Sequence, residues 1–225
     1  MANSIPSLMR NRDQHITRAH QHLMQRDTHL AQLMQRVGPF QLRLHHNRFE
    51  LLVRSILSQQ ISTRAARAIR KKLQAIAGTP SLTPRVLLQL TPEQMRAAGL
   101  SAQKIRYLQA LSDFALSGRL ALQQMHRYPD EEVIAQLTAV PGIGVWTAQM
   151  FLIFSLGRLD VFPVDDLGLR ASLREWYALP DDTRRPHYLA LAAAWQPYRT
   201  IATWYVWRLS DLKRDPELKA SRYPV

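Results

Sequence analysis

The sequence predicts an all-α fold on three observations: apolar residues recur at helical spacing along most of the chain, Gly and Pro punctuate that periodicity at short intervals, and alternating strand patterns are nearly absent. At 225 residues the chain suffices for one large domain or two small, closely packed helical ones, and it reads as one compact body with two lobes. It carries no internal repeat or low-complexity tract.

Residues 1–36 are polar and basic, with His15, His20, His22 and His29 among scattered methionines, and they read as a surface helix or loosely held arm ahead of a body spanning 37–225. No clean ligand pair with an acidic partner accompanies those histidines, so a solvated helix is favoured over a metal site. From Phe49, apolar residues recur at Leu52, Val53, Ile56 and Leu57, and after a polar Ser58-Gln59-Gln60 break at Ile61, Ala65, Ile69 and Leu73. Two helices therefore flank a polar turn. Gly78-Thr79-Pro80 ends the second, and residues 81–98 hold a short helix with a start signal at Thr91-Pro92-Glu93 and a stop at Gly99. Residues 101–116 place Ile105, Leu108 and Leu111 on one face, and residues 130–137 begin a short helix that stops at Pro141. Residues 146–156 form an apolar, buried helix, residues 165–176 another, and 187–212 a last helical region interrupted at Pro197.

Lys and Arg number 30 against 17 Asp and Glu, and the resulting charge of +13 points to a polyanionic partner, nucleic acid ahead of an acidic membrane face. The first 75 residues hold 13 Lys/Arg and 3 Asp/Glu, so that third of the chain is expected to face phosphates at least in part. With no cysteine, disulfides, thiolate zinc sites and cysteine-ligated iron–sulfur clusters are excluded. No run approaches the ~18 apolar residues of a membrane span and the N-terminus lacks a signal-peptide core. A soluble intracellular protein is expected, in the cytoplasm or nucleoid of a bacterium or the nucleus of a eukaryote.

The sharpest local pattern runs from Leu137 through Val140-Pro141-Gly142-Ile143-Gly144 to Trp146-Thr147-Ala148. A short helix ends, two glycines around one apolar residue make a tight turn, and a second helix starts with small residues. The glycines are expected to adopt angles that a side chain forbids and to let the turn approach another backbone. Amides at the following helix N-terminus then suit a phosphate. A Pro-Gly-x-Gly turn can be any helix connection, but the flanking Leu137, Val140 and Ala148 make it resemble the helix-hairpin-helix motif, a sequence-independent DNA contact. About twenty residues on stands Asp160-Val161-Phe162-Pro163-Val164-Asp165-Asp166-Leu167.

Together, residues 137–170 resemble the helix-hairpin-helix, Gly/Pro-rich loop and catalytic aspartate (HhH-GPD) superfamily of DNA glycosylases. Within it the chain is similar to the DNA-3-methyladenine glycosylase II, AlkA-like branch, over roughly residues 45–210. The resemblance implies a two-lobed helical fold, a hairpin motif near 134–156 and an active site in the cleft between lobes. It makes Asp166 the catalyst and leaves Asp165 to cap the next helix, the alternative being that both are caps. Departure of a base builds positive charge on the sugar, and a carboxylate in a water-poor pocket stabilises that cation and can orient the attacking water. Alkylated purines such as 3-methyladenine and 7-methylguanine already carry positive charge and leave without a general acid; no second catalytic carboxylate is evident.

Strand-cutting relatives carry a lysine where this chain has Trp146, so a monofunctional enzyme is expected, leaving an abasic site. On the same alignment Trp146 and Trp207 are pocket walls, and Met150 replaces a pocket tyrosine of the best-known relative. Trp195 and Trp204 are pocket or core. Gln60 takes the wedge position that fills the gap left by the extruded base, with Gln59 beside it, or else the pair is a solvated turn. Gly142, Gly144 and Thr147 contact the DNA backbone. Backbone oxygens of Thr138, Val140 and Ile143 would hold a structural Na+ or K+; no cofactor is required, and the missing cysteines remove the iron–sulfur cluster of other branches. No N-terminal β-containing domain like that of the longest relatives is expected, and residues 1–48 are expected to supply phosphate contacts instead. The expected partner is double-stranded DNA with a damaged base, bound by a monomer. Rival readings are a different base specificity on the same scaffold, a non-catalytic structure-specific DNA-binding protein, and a basic RNA-binding protein.

Overall fold

The computed structural model describes residues 5–214, and all of their regular elements are helical. In order these are α1 (Ile5–Arg26), α2 (Thr28–Val37), α3 (Arg48–Ser58), α4 (Thr63–Ala77), α5 (Pro84–Gln89), α6 (Pro92–Ala97), α7 (Ala102–Leu116), α8 (Asp130–Thr138), α9 (Val145–Phe151), α10 (Leu167–Trp176), α11 (Arg185–Ala193) and α12 (Arg199–Arg214). A 3-10 turn spans Leu122–Arg127, and α9 runs on into a π-helical turn over Leu152–Leu156. Several of the helices start where the sequence supplies a capping oxygen. Asp27, Asn47, Ser62, Thr83, Thr91 and Ser101 each accept a hydrogen bond from the amide three residues on. No helix among the described residues is long and apolar enough to cross a membrane.

The described residues divide into two compact units, one of residues 5–42 with 158–214 and one of residues 43–157. In the first, α2 and α10 pack on α12 and α1 packs on α2. Leu23, Leu30, Leu33, Leu169, Leu173, Ile201 and Tyr205 are fully buried there. Truncating a leucine at such a position to alanine costs about 2–5 kcal/mol. The expectation of a loosely held N-terminal arm gives way to this arrangement, because the Leu30, Leu33, Met34 face of α2 is core and Asp27 ties it down. One Asp27 oxygen accepts from the Leu30 amide at 2.9 Å, and the other from Tyr177 Oη at 2.7 Å and Trp195 Nε1 at 2.8 Å. Burial, and then the Asp27 charge, push the Tyr177 hydroxyl pKa far above its usual value. Of the histidines expected on a solvated helix, His15 and His29 are exposed, His29 lying near the Tyr177 ring, whereas His20 and His22 are half-buried, His22 edge-on to Tyr198 and His20 Nε2 at 2.9 Å from Tyr205 Oη.

In the second unit α3 packs on α4, α7 and α9, and α5 lies along α7. Phe49, Leu52, Val53, Ile56 and Leu57 are buried on α3, as expected, and Leu51 is buried with them. On α4 Leu73 is buried as expected and Ala65 and Ile69 are half-buried beside buried Ala66, whereas Ile61 lies in the turn at 37% exposure because α4 starts only at Thr63. The short helix expected from Thr91 within residues 81–98 is α6, and α5 precedes it unexpectedly because Thr83-Pro84 is a second start signal equal to Thr91-Pro92.

Candidate functional site

The hairpin between α8 and α9 is closed by the Ile143 amide donating to Val140 O at 3.0 Å. Gly142 has φ +89°, and a Cβ there would lie 2.3 Å from the Tyr107 ring, so only glycine fits. Gly144 corrects the expectation for both glycines. Its φ is −95° and an added Cβ would meet nothing within 4 Å, so the chain itself does not require glycine there. What glycine leaves is open surface at the start of α9, where no side chain caps the first amides. Trp146 is 44% exposed on that turn, whereas Thr147 and Met150 are buried, which leaves Thr147 only its backbone for an outside contact.

The α3–α4 turn sits against this hairpin. Gln59 does not reach outward; its Nε2 donates to Gly142 O at 2.8 Å and ties the two turns together. Gln60 is exposed and holds φ +58°, a left-handed conformation that costs a residue with a side chain about 1–2 kcal/mol. A groove of about 530 Å³ runs between the turns, lined by Gln59, Gln60, Ser101, Lys104, Tyr107 and Gly142 among others. The α7 residues Ser101, Lys104 and Tyr107 were not evident from the sequence, where they stand about forty positions from either turn. Lys104 Nζ donates to Leu57 O at 2.7 Å, and burial lowers its pKa.

In the other unit, the loop before α10 is fastened at both ends. At its start the Asp160 carboxylate takes the Arg199 guanidinium through both oxygens (2.7 and 2.9 Å), while Thr200 Oγ1 accepts from the Val161 amide and donates to Arg158 O. At its end Arg170 Nε donates to Val164 O at 2.6 Å and the same guanidinium pairs with Asp165. Asp166 follows, 9% exposed. The expected roles of the two aspartates are partly exchanged: Asp166 is the N-cap of α10, its Oδ1 accepting from the Leu169 amide at 2.6 Å, and Asp165 is a surface ion-pair partner of Arg170 and Arg185. Trp207 Nε1 also approaches Asp166 Oδ1, at 3.4 Å. Gly168 leaves room for that cap, since a Cβ there would lie 3.3 Å from Oδ1.

Of the tryptophans, Trp207 is 2% exposed with its ring nitrogen on Asp166. Trp195 and Trp204 are core: Trp195 holds Asp27 and packs edge-on to Phe162, and Trp204 packs edge-on to Phe40 and Tyr205.

Comparison with known proteins gives the arrangement a family. Residues 53–197 match the model of the HhH-GPD superfamily of base excision DNA repair proteins. DNA-3-methyladenine glycosylase 1 of Schizosaccharomyces pombe is 35% identical over 202 residues, covering 88% of this chain and 89% of that protein. A Bacillus halodurans DNA-3-methyladenine glycosidase superposes with a TM-score of 0.78 at 35% identity, over 88% of this chain and 91% of that one. The S. pombe enzyme Mag1, solved in complex with abasic DNA, gives 0.78 at 34% identity, over 91% of this chain and all of its own. With its hairpin, its fastened loop and its buried aspartate, the chain belongs to the HhH-GPD superfamily of base excision DNA repair proteins.

Proposed function

We infer that this chain is a monofunctional DNA glycosylase that excises alkylated bases, 3-methyladenine and 7-methylguanine among them, from duplex DNA and so starts base excision repair. The observation that carries the reading is Asp166, a carboxylate nearly removed from water on a loop fastened at both ends. Relatives named DNA-3-methyladenine glycosylases support the substrate class. A held anion is worth most where positive charge develops, and its fixed position means that no reorganisation is needed as the sugar becomes cationic. The base is already charged by alkylation, so proton donation to the leaving group is unnecessary. Trp207, with its ring nitrogen on Asp166, is assigned to the flipped base, and by the family resemblance so are the half-exposed Trp146 and the buried Met150; an electron-deficient base favours such rings.

Backbone amides at Gly144 and beyond are assigned to a DNA phosphate, and Gln60 to the gap in the base stack. The strained φ of Gln60 favours that role over an ordinary solvated turn. Backbone oxygens of Thr138, Val140 and Ile143 are of the type that suits a hard monovalent cation, and Val140 O also takes the Ile143 amide. Trp146 at the position of the strand-cutting lysine leaves no amine for a Schiff base there.

The test is incubation of the protein with duplexes carrying methylated purines, deaminated bases or mismatches, reading released bases by chromatography and strand breaks on a gel. Release of methylpurines with the strand intact is expected. Release from the deaminated or mismatched duplexes alone would establish a different specificity, strand cleavage would remove the monofunctional assignment, and no release at all would leave only a DNA-binding protein.

A further inference from the structure

On the same unit as the hairpin, α3 and α4 enclose a cavity of about 290 Å³ with Arg54, Arg67, Arg70 and Thr63 around an apolar floor of Leu57 and Ala66. Its charge is lopsided. Arg54 and Arg70 both pair at 2.8 Å with one oxygen of Glu50, which does not itself line the cavity, and Arg67 makes no ion pair among the described residues. Two guanidinium groups thus share one carboxylate, and the third lines the cavity beside them. The Glu50 bonds hold Arg54 and Arg70 in place without consuming all their donors, since each guanidinium carries five. Fixed forks of this kind match the oxygens of a phosphate.

The cavity is placed where DNA would pass. Ser58 and Thr63, which both line it, stand at the two ends of the turn that carries exposed Gln60 and ties through Gln59 to the hairpin. A strand lying on the hairpin groove and the Gln60 tip would reach this cavity if it followed the α3–α4 turn to its Ser58 and Thr63 ends. The sugar of a backbone nucleotide would meet Leu57 and Ala66, and its phosphate the guanidinium groups.

We propose that this cavity is a phosphate site that seats one backbone phosphate of the bound DNA, separate from the hairpin. The assignment rests on the DNA glycosylase reading above. It also places a share of the excess positive charge of the first third of the chain on α3 and α4. Free phosphate or a mononucleotide has the same oxyanion chemistry, so the test carries an arm for it.

Binding of an undamaged duplex is measured by fluorescence anisotropy from ~50 to ~200 mM salt, for the native protein and for Arg67→Gln, Arg67→Lys and Lys72→Gln. Lys72 is exposed on the same helix but outside the cavity. Losing one phosphate contact is expected to lower the slope of log K against log salt by about 0.9 and to weaken binding about eightfold near ~100 mM salt. Arg67→Gln should show both changes, Arg67→Lys should retain the native slope, and Lys72→Gln should change little.

Equal effects of Arg67→Gln and Lys72→Gln would overturn the site in favour of a diffuse basic surface, as would an unchanged slope in Arg67→Gln. Calorimetric titration with inorganic phosphate and with deoxyadenosine monophosphate forms the second arm; tight binding abolished by Arg67→Gln, alongside an unaltered DNA slope, would make this a small-anion site and also refute the proposal. Failure of the native protein to release any base, with the predicted slopes intact, would instead refute the glycosylase reading and keep the phosphate site.

Discussion

Asp166 is both a helix cap and the proposed catalyst, and the two roles separate in a pair of substitutions. Asp166→Asn retains a side-chain oxygen that can accept from the Leu169 amide and Trp207 Nε1. Asn caps helices about as well as Asp, so the expected loss of stability is only the charge–dipole term at the start of α10, about 0.3–1 kcal/mol. Asp166→Ala removes the cap and one acceptor of Trp207 Nε1, for about 1–3 kcal/mol. For a chain of this length 1 kcal/mol shifts Tm by about 2–4 °C. The alanine variant should therefore melt several degrees low and the asparagine variant near the native value.

Catalysis sorts the same variants differently. Removing a held group that stabilises developing charge typically costs about 100–1,000-fold in rate, or about 2.7–4 kcal/mol. Both variants should lose at least that much in single-turnover release of methylated base with the protein in excess, while duplex binding by Asp166→Asn stays close to native. If Asp166→Asn released base within threefold of the native rate, the carboxylate would be a cap and no more. The mechanism would also fail if the rate losses of the two variants followed their Tm losses, since cap and charge would then be one effect.

Gly142→Ala drives a methyl into the Tyr107 ring and forces a positive φ on a residue that avoids it, so it should lower stability by about 1–3 kcal/mol and weaken duplex binding. The same change at Gly144 meets no atom of the chain, so a loss of binding without a loss of Tm there would locate DNA against that face. Arg170→Ala frees Val164 O and Asp165 from their clamp; it should reduce the rate of base release about tenfold with little change in duplex affinity, and equal losses in both would show that the loop is not the part affected. Burial holds the His20 pKa below its ordinary 6.5, so the unfolded chain takes up a proton that the folded chain resists. Stability should fall as pH drops through that value, and a Tm series from pH ~7.5 to ~5.5 should be flatter for His20→Gln than for the native protein.

The helices that sequence reading found are those with an amphipathic face and a clear stop: α3, α7 and α8 lie within one residue of the expected bounds. What it missed has physical causes. The split of residues 81–98 needed Thr83-Pro84 to be weighed as a start, although no glycine or apolar stripe marks that position. The N-terminal segment looked solvated because its histidines count as polar, yet rings that pack edge-on against Tyr198 and Tyr205 behave as core, and the one residue that fastens the segment, Asp27, bonds to partners about 150 positions away. Long-range pairing of that kind leaves no periodic trace.

The site shows the same division between local and distant signals. The hairpin, the turn at Gln60 and the aspartate pair are local, and each was evident in the sequence. Which aspartate caps was not, because adjacent positions differ in orientation by about 100° around a helix start and the choice falls to whatever holds the preceding loop. Here Arg170 decides it: by gripping Val164 O and the Asp165 carboxylate it turns Asp165 to the surface and leaves Asp166 over the first amides of α10. The cap assigned to Asp165 by its place before the helix is thus made by Asp166. The helix N-terminus thereby fixes the rotamer of the carboxylate, which is what the proposed role of facing a transient cation requires. A substitution that preserved the cap and the charge but freed the loop, such as Arg170→Ala, therefore probes whether position or charge alone sets the rate.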